Sequence, residues 1–258
     1  MSTLVETRRV SLRDLRVRYS PTEPYVLDGV DLDLLAGETV ALLGASGSGK
    51  STLMKALTGF APITSGEAQM AGYDLTRLRP KQLREVRSQI GQIFQQYNLI
   101  GRLSVLTNVL TGTLYNAGPV NVLGTFSAAD RRRALELLDR VGIVHKADEQ
   151  ARTLSGGQQQ RVAIARALMQ SPRVILADEP VASLDPRMSH TVLSLLQSIA
   201  KDEGIPVLVS LHVLPLALAH SDRIVGLRHG SIVVQGNTSD LDADALAPVY
   251  DVHGDEEM

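Results

Sequence analysis

The chain has 258 residues, 44% of them apolar but only 3% aromatic, with a formal net charge of −2 and no cysteine. That length suits one large domain or two small ones, and the aliphatic-rich composition suits a buried sheet covered by helices rather than a disordered chain. The charge balance offers no bulk basic field to nucleic acid or an acidic membrane, although Arg131-Arg132-Arg133 is a local basic patch, and the missing cysteines exclude disulfides, thiolate catalysis and a Cys-based zinc site.

In chain order, residues 1–14 alternate charged and apolar side chains and lack a signal-peptide core. No apolar run approaches the ~20 residues that cross a bilayer. The expectation is a soluble, cytoplasmic chain whose membrane, if it works at one, is provided by a partner. Val40-Ala41-Leu42-Leu43 predicts a buried strand ending on a Gly-rich loop, and Ser51 to Leu57 the first turns of a helix. Ile93-Phe94 ends another apolar stretch at Gln95-Gln96. Residues 112–127, rich in Gly, Asn and Thr, predict a variable connection. Asp130 to Val141 carries Ala134, Leu135, Leu138 and Val141 at helical spacing, and Gln159 to Met169 continues helical until Pro172 stops it. Val174-Ile175-Leu176-Ala177 predicts a strand ending at Asp178-Glu179, and Val207 to Leu211 one ending at His212. Ile224 to Val234, broken by His229-Gly230, predicts a terminal hairpin, and 251–258 a loose tail. Buried strands with chemistry-bearing residues at their C-terminal ends imply a mostly parallel sheet. No internal repeat is visible.

The loop Gly44-Ala45-Ser46-Gly47-Ser48-Gly49-Lys50-Ser51-Thr52 has the composition of a phosphate cradle. Its glycines let backbone N–H groups approach phosphates, and a helix N-terminus adds partial positive charge. Lys50 is placed to reach β- and γ-phosphates, and the Ser51 hydroxyl to bind Mg²⁺. Asp178 and Glu179 are adjacent at a strand end, so their side chains point opposite ways. Asp178 is the candidate metal partner through water, and Glu179 the candidate base for the attacking water. His212 differs from the other five histidines only by its position after a strand, and no histidine pair has convincing metal-ligand spacing. Gln95 is a candidate γ-phosphate and Mg²⁺ sensor, and equally an ordinary polar strand end. Tyr19 could stack on adenine, with Tyr25 the competing candidate. Leu154-Ser155-Gly156-Gly157-Gln158 precedes a strong helix that Ser155 can cap, and its two glycines leave N–H groups open. One phosphate group does not need two such sites from one chain, so the simplest arrangement lets this one serve a nucleotide held by a second copy.

Together these residues resemble the nucleotide-binding subunits of ABC transporters, over nearly the whole chain. On that resemblance, Gly44–Thr52 is the Walker A loop, Gln95 the Q-loop glutamine, and Ser155-Gly156-Gly157-Gln158 the signature motif. Val174 to Glu179 matches Walker B with the catalytic glutamate, Ser183-Leu184-Asp185 the D-loop, His212 the switch histidine and Tyr19 the adenine-stacking aromatic. The resemblance implies an α/β fold: a RecA-like P-loop ATPase core with a mostly parallel sheet, an N-terminal antiparallel β part and an inserted helical subdomain. It implies a single ABC ATPase domain, with the core over about 1–94 and 166–240, the helical subdomain over about 95–165 and a tail over 241–258. ATP and Mg²⁺ are the implied cofactors. Two copies would close head to tail around two ATP molecules. Membrane permease subunits would dock on the helical region after Gln95, especially Tyr97 to Val105, at the cytoplasmic face of the membrane, with an external solute-binding protein acting indirectly and no nucleic acid partner.

A finer resemblance, to the ATPase subunit of phosphonate importers, is carried by Ile93 to Leu99, Arg102 to Val105, Glu179 to Pro186, Ser210-Leu211-His212 and Leu246 to Tyr250. Those stretches are partly shared with other small-solute importers. An exporter or lipid-extraction complex would use the same ATPase. A non-transport ABC ATPase acting on DNA or ribosomes would need a coiled coil, a tandem module or a basic surface, and the sequence displays none. A methionine- or amino-acid-type importer subunit is a further alternative; the methionine type usually carries a further C-terminal regulatory domain, whereas this chain ends soon after its predicted hairpin.

Overall fold

The computed structural model describes residues 8–115 and 126–250. The predicted tail over 251–258, and most of the predicted variable connection, lie outside those residues. The elements are β1 (Arg8–Val17), β2 (Leu27–Leu35), β3 (Thr39–Leu43), α1 (Lys50–Leu57), β4 (Ile63–Met70), β5 (Tyr73–Asp74), α2 (Pro80–Ser88), β6 (Ile90–Ile93), α3 (Val105–Leu110), α4 (Ala128–Arg140), α5 (Gly156–Met169), β7 (Val174–Ala177), α6 (Pro186–Glu203), β8 (Val207–Ser210), α7 (Leu214–His220), β9 (Arg223–Arg228), β10 (Ser231–Asn237) and α8 (Ala243–Leu246).

Two sheets organise them. The larger has the order β10-β9-β3-β8-β7-β6, and the smaller β2-β1-β4-β5. In the larger sheet every pairing from β9 through to β6 is parallel, and only β9–β10 is antiparallel. Every residue of β3, β7 and β8 is buried. Continuous apolar runs of this kind are what a strand needs when both its faces are covered. Alternate side chains then feed two cores. Ala41, Leu43, Ile175, Ala177, Val207 and Val209 pack with the helices α3 to α7. Val40, Leu42, Val174, Leu176 and Leu208 pack with α1 and the small sheet. That second sheet is antiparallel throughout, and β2 buries only part of its length in the pattern of a strand with one covered face.

The terminal hairpin turns at His229-Gly230, both with positive φ (45° and 81°), as a two-residue turn matching strand twist requires. Helix α4 begins one residue after Ser127, whose hydroxyl accepts the Asp130 N–H while the Asp130 carboxylate accepts from Ser127 in return. Residues 97–104 form a loop, and helix begins only at Val105. Tyr97 and Asn98 both take left-handed backbone, φ 55° and 51°, which no helix continues. The buried Asn108 side chain then secures the loop, accepting the Ile100 N–H and donating to the Ile100 and Ser104 carbonyls.

The sheet order places the chemistry. β8 lies between β3 and β7, and β6 pairs with β7 on the outside, all parallel. The loops leaving their C-terminal ends therefore emerge side by side: Gly44 onward after β3, His212 after β8, Asp178-Glu179 after β7 and Gln95 after β6.

Candidate active site

Two glycines of the loop between β3 and α1, Gly44 and Gly49, have no room for a side chain. A Cβ on Gly49, itself left-handed at φ 109°, would fall 2.8 Å from Leu27 Cδ2 and 3.1 Å from the Val26 carbonyl oxygen. A Cβ on Gly44 would fall 2.5 Å from the Leu227 carbonyl oxygen. Ala45, Ser46 and Gly47 are exposed, whereas Ser48 and Lys50 are buried. The Lys50 ammonium donates to the Gly44 and Ala45 carbonyls at 2.7 and 3.0 Å. Burial lowers its pKa, and the charges of Glu179 and Asp178 oppose that shift. The Ser51 hydroxyl, on the first turn of α1, lies 3.5 Å from Asp178 Oδ2.

Asp178 and Glu179 follow β7 directly, and the left-handed backbone at Glu179 ends strand geometry there. Ser210, at the end of β8, fixes both. Its hydroxyl donates to Asp178 Oδ1 at 2.8 Å and accepts the Glu179 N–H at 2.8 Å. Glu179 itself sits at φ 48°, a left-handed conformation that costs a non-glycine residue roughly 1–3 kcal/mol and persists only where the surroundings enforce it. Here they do: besides the Ser210 bond, the Glu179 carboxylate is held by His212 Nε2 at 2.5 Å. A cavity of about 450 Å³ is lined by Val26, residues 46–52, Glu179 and His212. A neighbouring one of about 420 Å³ is lined by Tyr19, Ser51, Asp178, Phe60 and Phe94 among others. Tyr19 is half exposed there, while Tyr25 lies under the Arg18 guanidinium, 5.0 Å from its ring centre, and lines neither cavity.

The remaining candidates stand apart from these cavities. Gln95 is exposed just beyond edge strand β6 and lines neither of them. Ser155 caps α5 through a reciprocal pair, its hydroxyl accepting the Gln158 N–H and the Gln158 Oε1 accepting the Ser155 N–H at 3.0 Å. Gly156 and Gly157 do more than expose N–H groups: a Cβ on the first would sit 2.8 Å from Tyr97 Oη, and on the second 2.3 Å from Met188 Cε. Ser155 to Gln158 line neither cavity. Asp185 caps α6, accepting the Met188 N–H at 2.9 Å ahead of Pro186. Among the described residues, no group of three or more His, Cys, Asp or Glu side chains forms a metal site. Sequence reasoning missed Ser210, Asn108 and Tyr97 as organising residues. The only signal for Ser210 was a hydroxyl closing an otherwise apolar strand.

The family model described as "ABC transporter" matches residues 27–182. The chain is 46% identical over 241 residues to "Phosphonates import ATP-binding protein PhnC 2" of Cupriavidus metallidurans, covering 93% of this chain and 86% of that protein. It is 46% identical over 244 residues to "Hypophosphite import ATP-binding protein HtxD" of Stutzerimonas stutzeri, covering 94% and 72%. Among solved structures, cbiO1 of Clostridium perfringens, part of the transporter complex cbiONQ, superposes with a TM-score of 0.82 at 29% identity, over 93% of each chain. The dimeric ATP-binding cassette MJ0796, bound to ADP and Pi, superposes with a TM-score of 0.76 at 34% identity, over 89% of this chain and 98% of that one. The chain belongs to the ABC transporter family, as an ATP-binding, ATP-hydrolysing subunit. Among the described residues no helix is long and apolar enough to cross a membrane.

Proposed function

We propose that this chain powers the import of phosphonate or a related phosphorus oxyanion, working as a homodimer docked at the cytoplasmic face of membrane permease subunits. The observation that carries the solute class is its near-full-length similarity to proteins named for phosphonate and hypophosphite import. The carrying observation for the ATPase chemistry is the Glu179–His212 contact on the wall of the cavity that the phosphate loop lines.

In this reading the N–H groups of residues 45–52 and the Lys50 ammonium hold the ATP phosphates, and Tyr19 stacks on adenine. The Ser51 hydroxyl and Asp178 carboxylate suit Mg²⁺: two hard oxygen donors 3.5 Å apart, too few to bind it alone, leave the other positions to phosphate and water, as that ion prefers. Mg²⁺ would supply charge neutralisation of the phosphates. Glu179 orients and deprotonates the attacking water, and His212 fixes the carboxylate's direction. Gln95 senses the γ-phosphate from the β6 edge. Ser155, Gly156, Gly157 and Gln158 reach the nucleotide of the second copy, with Asp185 nearby at the seam. Closure of the dimer moves the permease, which docks around Tyr97 to Val105, and hydrolysis reopens it. Solute choice then belongs to the permease and an external binding protein.

Deleting the gene and measuring growth and labelled uptake tests this. Phosphonate, hypophosphite and phosphate are supplied in turn as sole phosphorus source. Loss on phosphonate or hypophosphite, with phosphate growth intact, is expected. The parent gene should restore uptake and the Glu179→Gln gene should not. Unchanged uptake of both, in a strain lacking any second system, would remove the solute assignment.

A further inference from the structure

We propose that Tyr97 and Arg166 are positioning residues that clamp the loop after Gln95 to the signature helix, so that movement of this loop sets how the Ser155–Gln158 motif meets the second copy's ATP. Arg166, two turns and more into α5, points its guanidinium back at the loop and donates to the Tyr97 carbonyl at 2.8 Å and to the Asn98 carbonyl. Both acceptors belong to residues forced into left-handed backbone, and this consecutive pair is what brings two carbonyls within reach of one planar fork. Burial lowers the Arg166 pKa, and the guanidinium is met by the two backbone carbonyls.

At the other end of the same residue, Tyr97 Oη lies where a Cβ on Gly156 would fall, 2.8 Å away, with Leu184 Cδ2 at 3.4 Å. One tyrosine thus touches the first residue of the signature helix beside the D-loop, while its carbonyl is gripped from the last turn of that helix. The loop cannot shift without carrying α5 or breaking these contacts. Gly156 lacks a side chain for a packing reason, distinct from the exposure of its N–H group.

The inference rests on the ATP-sandwich reading above. Its test uses the full chain carrying Glu179→Gln for ATP-driven dimerisation by sedimentation, and the chain with Glu179 intact for kcat, KM and nucleotide affinity of the monomer. Tyr97→Leu is expected to weaken dimerisation and lower kcat by roughly tenfold, with monomer affinity for a fluorescent ATP analogue within about twofold of the parent. Tyr97→Phe, which keeps the ring but removes the Oη that meets Gly156, should give a loss intermediate between the parent and Tyr97→Leu. Arg166→Lys, a point charge that cannot fork onto two carbonyls, should reproduce the Tyr97→Leu pattern. Normal dimerisation and kcat in Tyr97→Leu would overturn the clamp while leaving the sandwich standing. So would an equal loss of monomer affinity, which marks general damage. A parent chain that fails to dimerise with ATP would overturn both.

Discussion

In the proposed function, Glu179 is the residue on which turnover depends most directly. It is strained at φ 48°, tied through its backbone to Ser210 and through its carboxylate to His212, and it faces the cavity of the phosphate loop. A positioned general base contributes ~10²–10⁴ in rate, equivalent to roughly 3–5 kcal/mol of barrier. Glu179→Gln should therefore keep ATP binding and nearly stop hydrolysis, measured as single-turnover phosphate release; near-parental release would remove the carboxylate from that role. Ser210→Ala asks a different question. It leaves the Asp178 carboxylate and the Glu179 N–H each short of a partner, and a hydrogen bond to a charged group is worth roughly 1.5–3 kcal/mol. If those bonds hold the catalytic geometry, kcat should fall roughly ten- to a hundredfold, with a smaller change in thermal stability. A variant with unaltered kcat would make Ser210 a packing residue only. Glu179 was legible in the sequence as a carboxylate after an apolar strand, but Ser210 was not, because the bond that matters crosses from β8 to β7 and strand adjacency is a tertiary fact.

Between elements, α6 and α7 meet at two histidines that the sequence offered no reason to pair. His190 Nδ1 and His220 Nε2 are 2.8 Å apart, with the Ser194 hydroxyl 3.5 Å from His220 Nδ1. One ring must donate and the other accept, so the contact needs His220 or His190 neutral. Burial, then repulsion from His190, lowers the His220 pKa below its ordinary value of 6.5. The unfolded chain consequently binds more protons than the folded one in the window just below 6.5, and stability rises with pH there. The contribution is whole above that value and is lost as acid protonates the folded ring. The urea midpoint should drop between about pH 7.5 and about pH 5.5, and His220→Gln should shrink that drop. Equal drops in both proteins would show that the pair does not govern it. The helices themselves were readable: α4 and α5 follow from apolar spacing, and Ser127 and Ser155 from their capping chemistry. The loop over 97–104 was not, because its backbone is set by Arg166 and Asn108, which reach it from other elements.

For the molecule as a whole, the feature that matters is that residues of the loop over 44–52 line the two cavities described above while Ser155 to Gln158 line neither. A Ser155→Arg substitution places a long cation at the exposed start of α5. It should abolish ATP-driven dimerisation, followed by sedimentation, and leave monomer nucleotide affinity largely intact. Lost affinity in the monomer would instead assign Ser155 to a site within its own chain.

What the sequence determined by itself was whatever is encoded locally. Four-residue apolar runs specify strands buried on both faces, Gly-Ser-Gly-Lys-Ser specifies a loop that can approach phosphates, and His229-Gly230 specifies a tight turn. The antiparallel N-terminal sheet was reached only through family resemblance, although Val30-Asp31-Leu32-Asp33-Leu34 in β2 alternates as a half-buried strand does. Tertiary structure alone decided which strand ends lie side by side. Placing β8 between β3 and β7 brings His212 onto Glu179 and both onto the phosphate loop, although more than a hundred residues separate the loop from either. Strand order depends on which apolar faces can be covered at once, and no local run of residues carries that information.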